Sequence, residues 1–331
     1  MDRRTLGRTG HAVVRLGIGT WGMAGEDWRD SDPRAAQRTL YQALDAGVNF
    51  IDTALSDGDG TNEQLIGEVI RDQRAHDSVL LATKVPPLDR TWSGDGKKPL
   101  PTIFPAGYVV RSVETSLRNL RAEALGVAQL RGWHDSWLGS TAWPELRGTM
   151  ELLVKQGKVR YWGISVNAHD PGSALRVLDE PVIATVQAIY NIFDQSSATE
   201  LFARARANDI GVIARRPFDE GGLTGTLALT TRFAPGDFRS DYFAGERLAQ
   251  AIARAKKLSQ LCGDEIENLA EMALRFALSQ PDVDVVIAGM RQPDHLVANL
   301  AAAGRGPLSA ALQDRLGEET WDRNWYRPAG P

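Results

Sequence analysis

Cysteine is almost missing from these 331 residues: Cys262 stands alone. No disulfide can form within the chain, and a reducing compartment is expected. The thiol follows LSQL at the close of a helical stretch, without a basic cluster to activate it, and reads as structural. Histidine is scarce too. His11, His76, His134, His169 and His295 fall on separate elements without ligand spacing, so no metal is implied. Long apolar runs are absent, which excludes a helical membrane span. The N-terminal MDRRTLGRTG carries charge with no apolar segment behind it, unlike a signal peptide. Basic surplus is absent as well. The 38 Lys and Arg against 42 Asp and Glu give net charge −4, a balance unsuited to nucleic acid or a membrane surface. No nucleophile–base arrangement suggests acyl transfer. A cytoplasmic protein acting on a small molecule is the expectation; its oligomeric state has no signature here.

What is present is alternation. Arg4 to Val14 reads as a β-hairpin turning at Gly7 to Gly10. Buried strands are predicted at 16–20, 48–52, 78–84, 126–130, 159–165, 184–188, 210–214 and 283–288, with helical stretches between them. Helices are predicted over 35–46 and 146–156, and one carries Val109, Val113, Leu117 and Leu120 on one face. Eight strand–helix alternations without a composition break predict an α/β fold, one closed (β/α)8 TIM barrel with an N-terminal hairpin, spanning 1–331 as a single domain. Two inserts, 86–104 and 218–246, have the length of lids. The tail WDRNWYRPAGP is aromatic enough to pack near the barrel mouth or under a partner.

In such barrels chemistry sits at the C-terminal strand ends. Here those ends are Asp52, Lys84, Arg131, Ser165, Gln187, Arg215 and Gly289. Asp52 closes the apolar run VNFI, and the acidic, Gly-rich SDGDG turns the chain into a helix.

The motifs GIGTWGM, VNFIDTALSDGDGTNEQLIGEVI, LLATKV, AQLRGWHDSW, GISVN, VQAIYNIFDQ, VIARRPFDEGGLTG and VIAGMRQPDHLVANLAAA stand in one order along the chain. That order resembles the aldo/keto reductases almost end to end. The resemblance implies a nicotinamide cofactor across the barrel mouth and four side chains for carbonyl reduction. A tyrosine gives the proton, a lysine lowers its pKa, an aspartate pairs with the lysine, and a histidine orients the substrate oxygen. Asp52 and Lys84 match the aspartate and the lysine. The other two positions differ: DTALSDG puts Asp57 at the tyrosine, and QLR puts Arg131 at the histidine. His134, three residues on, is a substitute candidate.

An aspartate beside a cationic lysine and arginine is expected to titrate below its usual range, unless desolvation dominates. Three readings therefore share the site. One is reduction of an iminium or conjugated C=C, with Asp57 as acid or cation partner and Arg131 holding an anionic or polarised group. Another is elimination or isomerisation with Asp57 as base. The third is a silent cofactor-binding sensor. Asp57 also suits a turn aspartate capping the helix that follows. Trp21, Trp92, Trp133 and Trp137 are expected to shape an apolar substrate pocket with His134, though some of them equally suit the core.

The resemblance also implies NADP(H) as cofactor. Thr20, Trp21 and Asp52 are expected among the residues that contact it. Ser165, Asn167 and Gln187 match the carboxamide contacts. Arg215, with Pro217 and Phe218, matches the position that stacks on the ring or reaches the pyrophosphate. Gly289, Met290, Arg291, His295 and Asn299 match the adenosine-phosphate segment, where Arg291 near a helix start favours a 2′-phosphate. His295 equally suits a solvent-facing helix position.

Overall fold

The computed structural model describes residues 2–25, 27–92 and 94–326. Apolar runs dense in Val, Ile and Leu form strands covered on both faces, the pattern of a parallel sheet. They are β3 (Leu16–Gly19), β4 (Phe50–Asp52), β5 (Leu80–Val85), β6 (Leu125–Arg131), β7 (Val159–Ser165), β8 (Ile183–Ile189), β9 (Gly211–Arg215) and β10 (Val285–Gly289). Each pairs in parallel with its sequence neighbours, and β10 closes onto β3 through Gly289 beside Gly19. The barrel and the hairpin are as predicted. Ahead of the barrel, β1 (Arg3–Thr5) and β2 (Ala12–Val14) form that antiparallel hairpin around a short turn at Gly7–Thr9.

The hairpin plugs the base. Its Leu6 and Val13 are fully buried with Phe50, Leu80, Val127, Ile213 and Val285 inside the barrel. The approach is close enough that a Cβ at Gly7 would lie 2.2 Å from the Gly211 nitrogen. A second, larger apolar layer fills the space between the strands and the outer helices. Amphipathic periodicity builds those helices over Pro33–Asp45, Thr61–Asp72, Ala106–Asn119, Trp143–Lys155, Arg247–Ser259, Leu269–Ser279 and Pro293–Gly304.

One connection departs from expectation. No α-helix lies between β7 and β8. Short 3-10 turns at Pro171–Ala174 and Arg176–Asp179 replace it, because Pro171 and Gly172 interrupt a segment too short for a full helix. Insert 218–246 folds around Phe233, Phe238, Tyr242 and Phe243, and tail residues Trp325 and Tyr326 pack onto this cluster. The tail therefore lies over the barrel mouth as far as it is described; residues 327–331 fall outside the description. Among the described residues no helix is long and apolar enough to cross a membrane.

Candidate active site

Alternation along a strand sends residues i and i+2 to the same face. In β6 this turns Gln129 and Arg131 inward above Val127, while Leu130 joins the outer layer. Space for them depends on a bare position on the neighbouring strand β7, in register with Gln129. A Cβ at Gly163 would lie 2.1 Å from Thr185 Oγ1 and 3.2 Å from Gln129. The same alternation lifts Asp52, Lys84 and Gln187 above the apolar plug. Asp52 is 4% exposed and Lys84 7%.

These buried groups bond to one another, although Gln129 Oε1 finds no partner among the described residues. Lys84 Nζ donates to Asp52 Oδ1 and, at 2.8 Å, to the Thr53 carbonyl. Gln129 Nε2 and Gln187 Nε2 donate to Asp52 Oδ2 at 3.1 and 2.7 Å. Both carboxylate oxygens are thus matched, the condition under which a buried ion pair offsets its desolvation. Burial draws the Lys84 ammonium below its usual pKa, with Asp52 and then Asp57 acting in the opposite direction.

Asp57 is close enough to this pair for both Lys84 and Asp52 to act on its charge. The chain turns sharply after it, with Gly58, Asp59 and Gly60 at φ 61°, 47° and 91°. Glycine accommodates this left-handed run at two of the three positions. The turn leaves Asp57 5% exposed. Its carboxylate accepts no hydrogen bond among the described residues, and the helix at Thr61 starts without any side-chain cap, so Asp57 is not a cap. Arg131 Nη1 lies 3.8 Å from Asp57 Oδ1 and donates to Ser56 Oγ at 2.9 Å. Its guanidinium rests over the ring of Trp92, 4.3 Å from the centroid. The expectation that the cations would dominate Asp57 is overturned. Burial outweighs Arg131 and Lys84 and pushes the carboxyl up to about 6.

The far side of the mouth is also cationic. Arg215 donates to the Val166 carbonyl at 2.9 Å, its Nε has no partner, and no carboxylate pairs with it among the described residues. Burial, then the cations Arg216 and Arg131, draw its pKa to about 9. Arg216 pairs with Glu220 at 2.7 Å under the Tyr326 ring, 4.0 Å away. A cleft of about 510 Å³ opens beside these groups, between Gly94–Lys97, His134, Asn167 and the tail residues Asn324 and Tyr326.

Residues 15–316 match the aldo/keto reductase family. The chain belongs to that family. Among curated relatives it is 28% identical over 301 residues to the aldo-keto reductase YhdN of Bacillus subtilis, covering 90% of this chain and 87% of the relative. It is 26% identical over 313 residues to the NADH-specific methylglyoxal reductase of Escherichia coli, covering 91% and 93%. The holo form of the aldo-keto reductase AKR11C1 from Bacillus halodurans superposes with a TM-score of 0.74 at 24% identity, over 97% of this chain and 96% of that one. The protein is an oxidoreductase of the aldo/keto reductase type.

Within this reductase the remaining predicted residues separate by environment. Thr20 is buried, with Oγ1 donating to the Asp52 carbonyl at 3.0 Å. Trp21 donates to Asp27 at 2.7 Å and meets Phe238 edge-on at 5.1 Å. Ser165 Oγ lies 3.5 Å from Gln187 Oε1. Asn167 is engaged with protein: its Nδ2 donates to the carbonyls of Trp133 and Gly94 and to Ser173, and its Oδ1 accepts from the Gly94 N–H at 2.6 Å. Pro217 is buried and Phe218 half-buried at the close of β9. Gly289 is open at the end of β10, while Met290 is fully buried. Arg291 pairs with Asp30 and lies 4.9 Å from the Trp28 ring. Arg239 from the insert pairs with the same Asp30 at 2.8 Å. His295, one turn along the helix, is exposed, the solvent-facing position it equally suited; partial desolvation and Arg291 lower its pKa, and Asn299 beyond it is buried.

Two expected pocket walls are corrected. Trp133 and Trp137 are 0% and 2% exposed, packed edge-on against each other at 5.4 Å and against Trp143 and Phe104 in the outer core. An indole at the entrance of a βα loop reads the same whether it turns to the mouth or to the helix layer. His134 borders the cleft but caps the turn at Asp135–Gly139, accepting from the Ser136 N–H at 3.2 Å. Sequence reasoning missed Gln129, Ser56, Arg216, Asp30 and Tyr326. Only Gln129 carried a signal, its place two residues before Arg131 on an inward-facing register.

Proposed function

We propose that this protein is an NADP(H)-dependent reductase whose proton-handling pair is Asp57 and Arg131. The acceptor is a C=N or a conjugated C=C in preference to a simple aldehyde. The observation that carries the reading is a buried acid, 3.8 Å from a guanidinium and close enough to an intact Lys84–Asp52 pair for its charges to act on it.

The donor set fits a dinucleotide. Arg215 is a cation with an orphaned Nε and no acidic partner among the described residues, suited to a pyrophosphate. Ser165, at the end of β7, is in register with Gln187, two residues before the end of β8, where a carboxamide would find one hydroxyl and one amide. Arg291, near the start of the Pro293–Gly304 helix, suits a 2′-phosphate. The bound cofactor would supply a hydride to the acceptor carbon. Asp57 gives its proton to the atom that gains electron density and regains one from solvent. Arg131 steadies negative charge as it develops. Lys84, held by Asp52, keeps a positive field beneath both groups.

Titration with NADPH, followed by quenching of tryptophan fluorescence, tests the cofactor; no binding removes the reading. With cofactor bound, NADPH consumption equal to product formed identifies reduction. Turnover without that consumption would identify elimination or isomerisation instead. The double variant Asp57→Tyr, Arg131→His on a generic aldehyde then asks whether ordinary carbonyl reduction returns to the scaffold.

A further inference from the structure

Arg131 is over-equipped for holding a neutral oxygen. Among the described residues one of its five N–H donors is engaged, by Ser56 Oγ, and the Asp57 carboxylate at 3.8 Å is beyond hydrogen-bond reach. The side chain is 23% exposed, so the guanidinium edge meets the mouth. The exposed Trp92 ring lies against it, 4.3 Å from the guanidinium carbon to the centroid. A planar fork with free parallel donors matches two coplanar oxygens sharing one charge. A phosphate carries more charge than this one guanidinium matches, and the adjacent Asp57 repels it more strongly than it repels a singly charged carboxylate. The short separation between Arg131 and Asp57 also sets a distance. A carboxylate on the fork leaves room for one bonded atom before the acid is reached.

We propose that the acceptor carries a carboxylate bonded directly to the C=N carbon that is reduced, as in a 2-imino acid, with Arg131 gripping the carboxylate and Asp57 facing the neighbouring nitrogen. This rests on the reductase reading above and names its substrate class. It also explains how an aspartate serves as acid. The charges around Asp57 are Arg131, Lys84, Asp52 and Asp27. A carboxylate seated on Arg131 cancels the first of them, and the buried Asp57 then holds its proton into the neutral range. The substrate arms the acid that it needs.

The probe is oxamate, a 2-oxo carboxylate that is not reduced, compared with uncharged oxamide. Each is titrated by calorimetry at pH 7.5 into protein saturated with NADPH, in two buffers of different ionisation heat. Oxamate is expected to bind at least about tenfold more tightly than oxamide, consistent with a charge-assisted bidentate contact. Binding is expected to take up a proton, an uptake that disappears in Asp57→Asn, and Arg131→Lys weakens oxamate by about tenfold or more. Equal affinity for oxamate and oxamide, no binding of either, or no proton uptake overturns the proposal while NADPH still binds. Failure to bind NADPH overturns the reductase reading itself, and this proposal with it. The oxamate–oxamide comparison and the proton count need no variant, so a misfolded Arg131→Lys leaves the test intact.

Discussion

Asp57 is the residue at which burial and charge compete, and burial prevails. A carboxyl raised from 3.8 to about 6 on folding binds its proton more tightly in the native state. The sign follows: its favourable contribution is complete below the unfolded pKa and is lost as pH rises through about 6. Asp57→Asn should therefore stabilise the protein by on the order of 2 kcal/mol at pH 8, with the gain shrinking toward zero near pH 4. Urea unfolding midpoints across that range check it, and a pH-independent difference would refute it. Asp52→Asn acts in the opposite direction. It leaves Lys84 buried without its counter-charge, and a loss of about 3–5 kcal/mol is expected in the same measurement. Asp52, Lys84, Asp57 and Arg131 were all legible as strand-end or loop residues. The direction of the Asp57 shift was not, because a sequence lists the charged neighbours and gives no account of the water removed.

At the scale of elements, the mouth is fastened by two straps. The tail holds one: Arg323 pairs with Asp219 and donates to Tyr242 Oη at 2.7 Å, while Tyr326 Oη donates to Glu220 at 2.7 Å. Both carboxylates are almost fully buried, on a loop that turns left-handed at Arg216, Asp219 and Glu220 (φ 61°, 50° and 55°). Such positions each cost on the order of 1 kcal/mol, so the loop depends on its partners. Arg323→Ala should lower stability by about 3 kcal/mol or more by stranding Asp219, which thermal unfolding would report. The second strap joins the insert to the loop after β3. Phe238 N–H donates to the Asp27 carbonyl at 2.8 Å, Arg29 N–H donates to Asp237 at 3.1 Å, and Asp30 bridges Arg239 and Arg291. If NADPH lies beneath this strap, Asp237→Ala, which cuts the Arg29 and Arg239 contacts, should speed its dissociation several-fold in stopped-flow fluorescence, since loop opening gates many release steps. An unchanged rate would place the cofactor elsewhere. Strand ends were predicted to within a few residues because apolar runs have sharp edges. The straps were invisible because their partners are more than 200 positions apart in places, as with Asp30 and Arg239.

Over the whole molecule, charge is divided unevenly. The chain is net −4, yet Lys84, Arg131, Arg215 and Arg216 gather at one end of the barrel, with Arg215 unmatched among the described residues. A ligand that supplies the missing anions should tighten the native state as a unit. NADPH at about a hundred times its dissociation constant is expected to add roughly 2.7 kcal/mol, raising the unfolding temperature by several degrees. High salt should weaken this gain, and a scan with and without cofactor at two ionic strengths would show it. The barrel was legible from the regular recurrence of strands, which no local detail could disguise. The helix missing between β7 and β8 was not, since a barrel tolerates a bare connection where the outer layer is filled by other means.

Asp30 already occupies the guanidinium that a 2′-phosphate would claim. On the reading offered above, arrival of the cofactor is an exchange of anions at Arg291, with the aspartate as a resident placeholder. The free protein is spared a naked cation at its surface. The same tenancy blunts discrimination, because a newcomer gains only the difference between its own grip and the one it evicts.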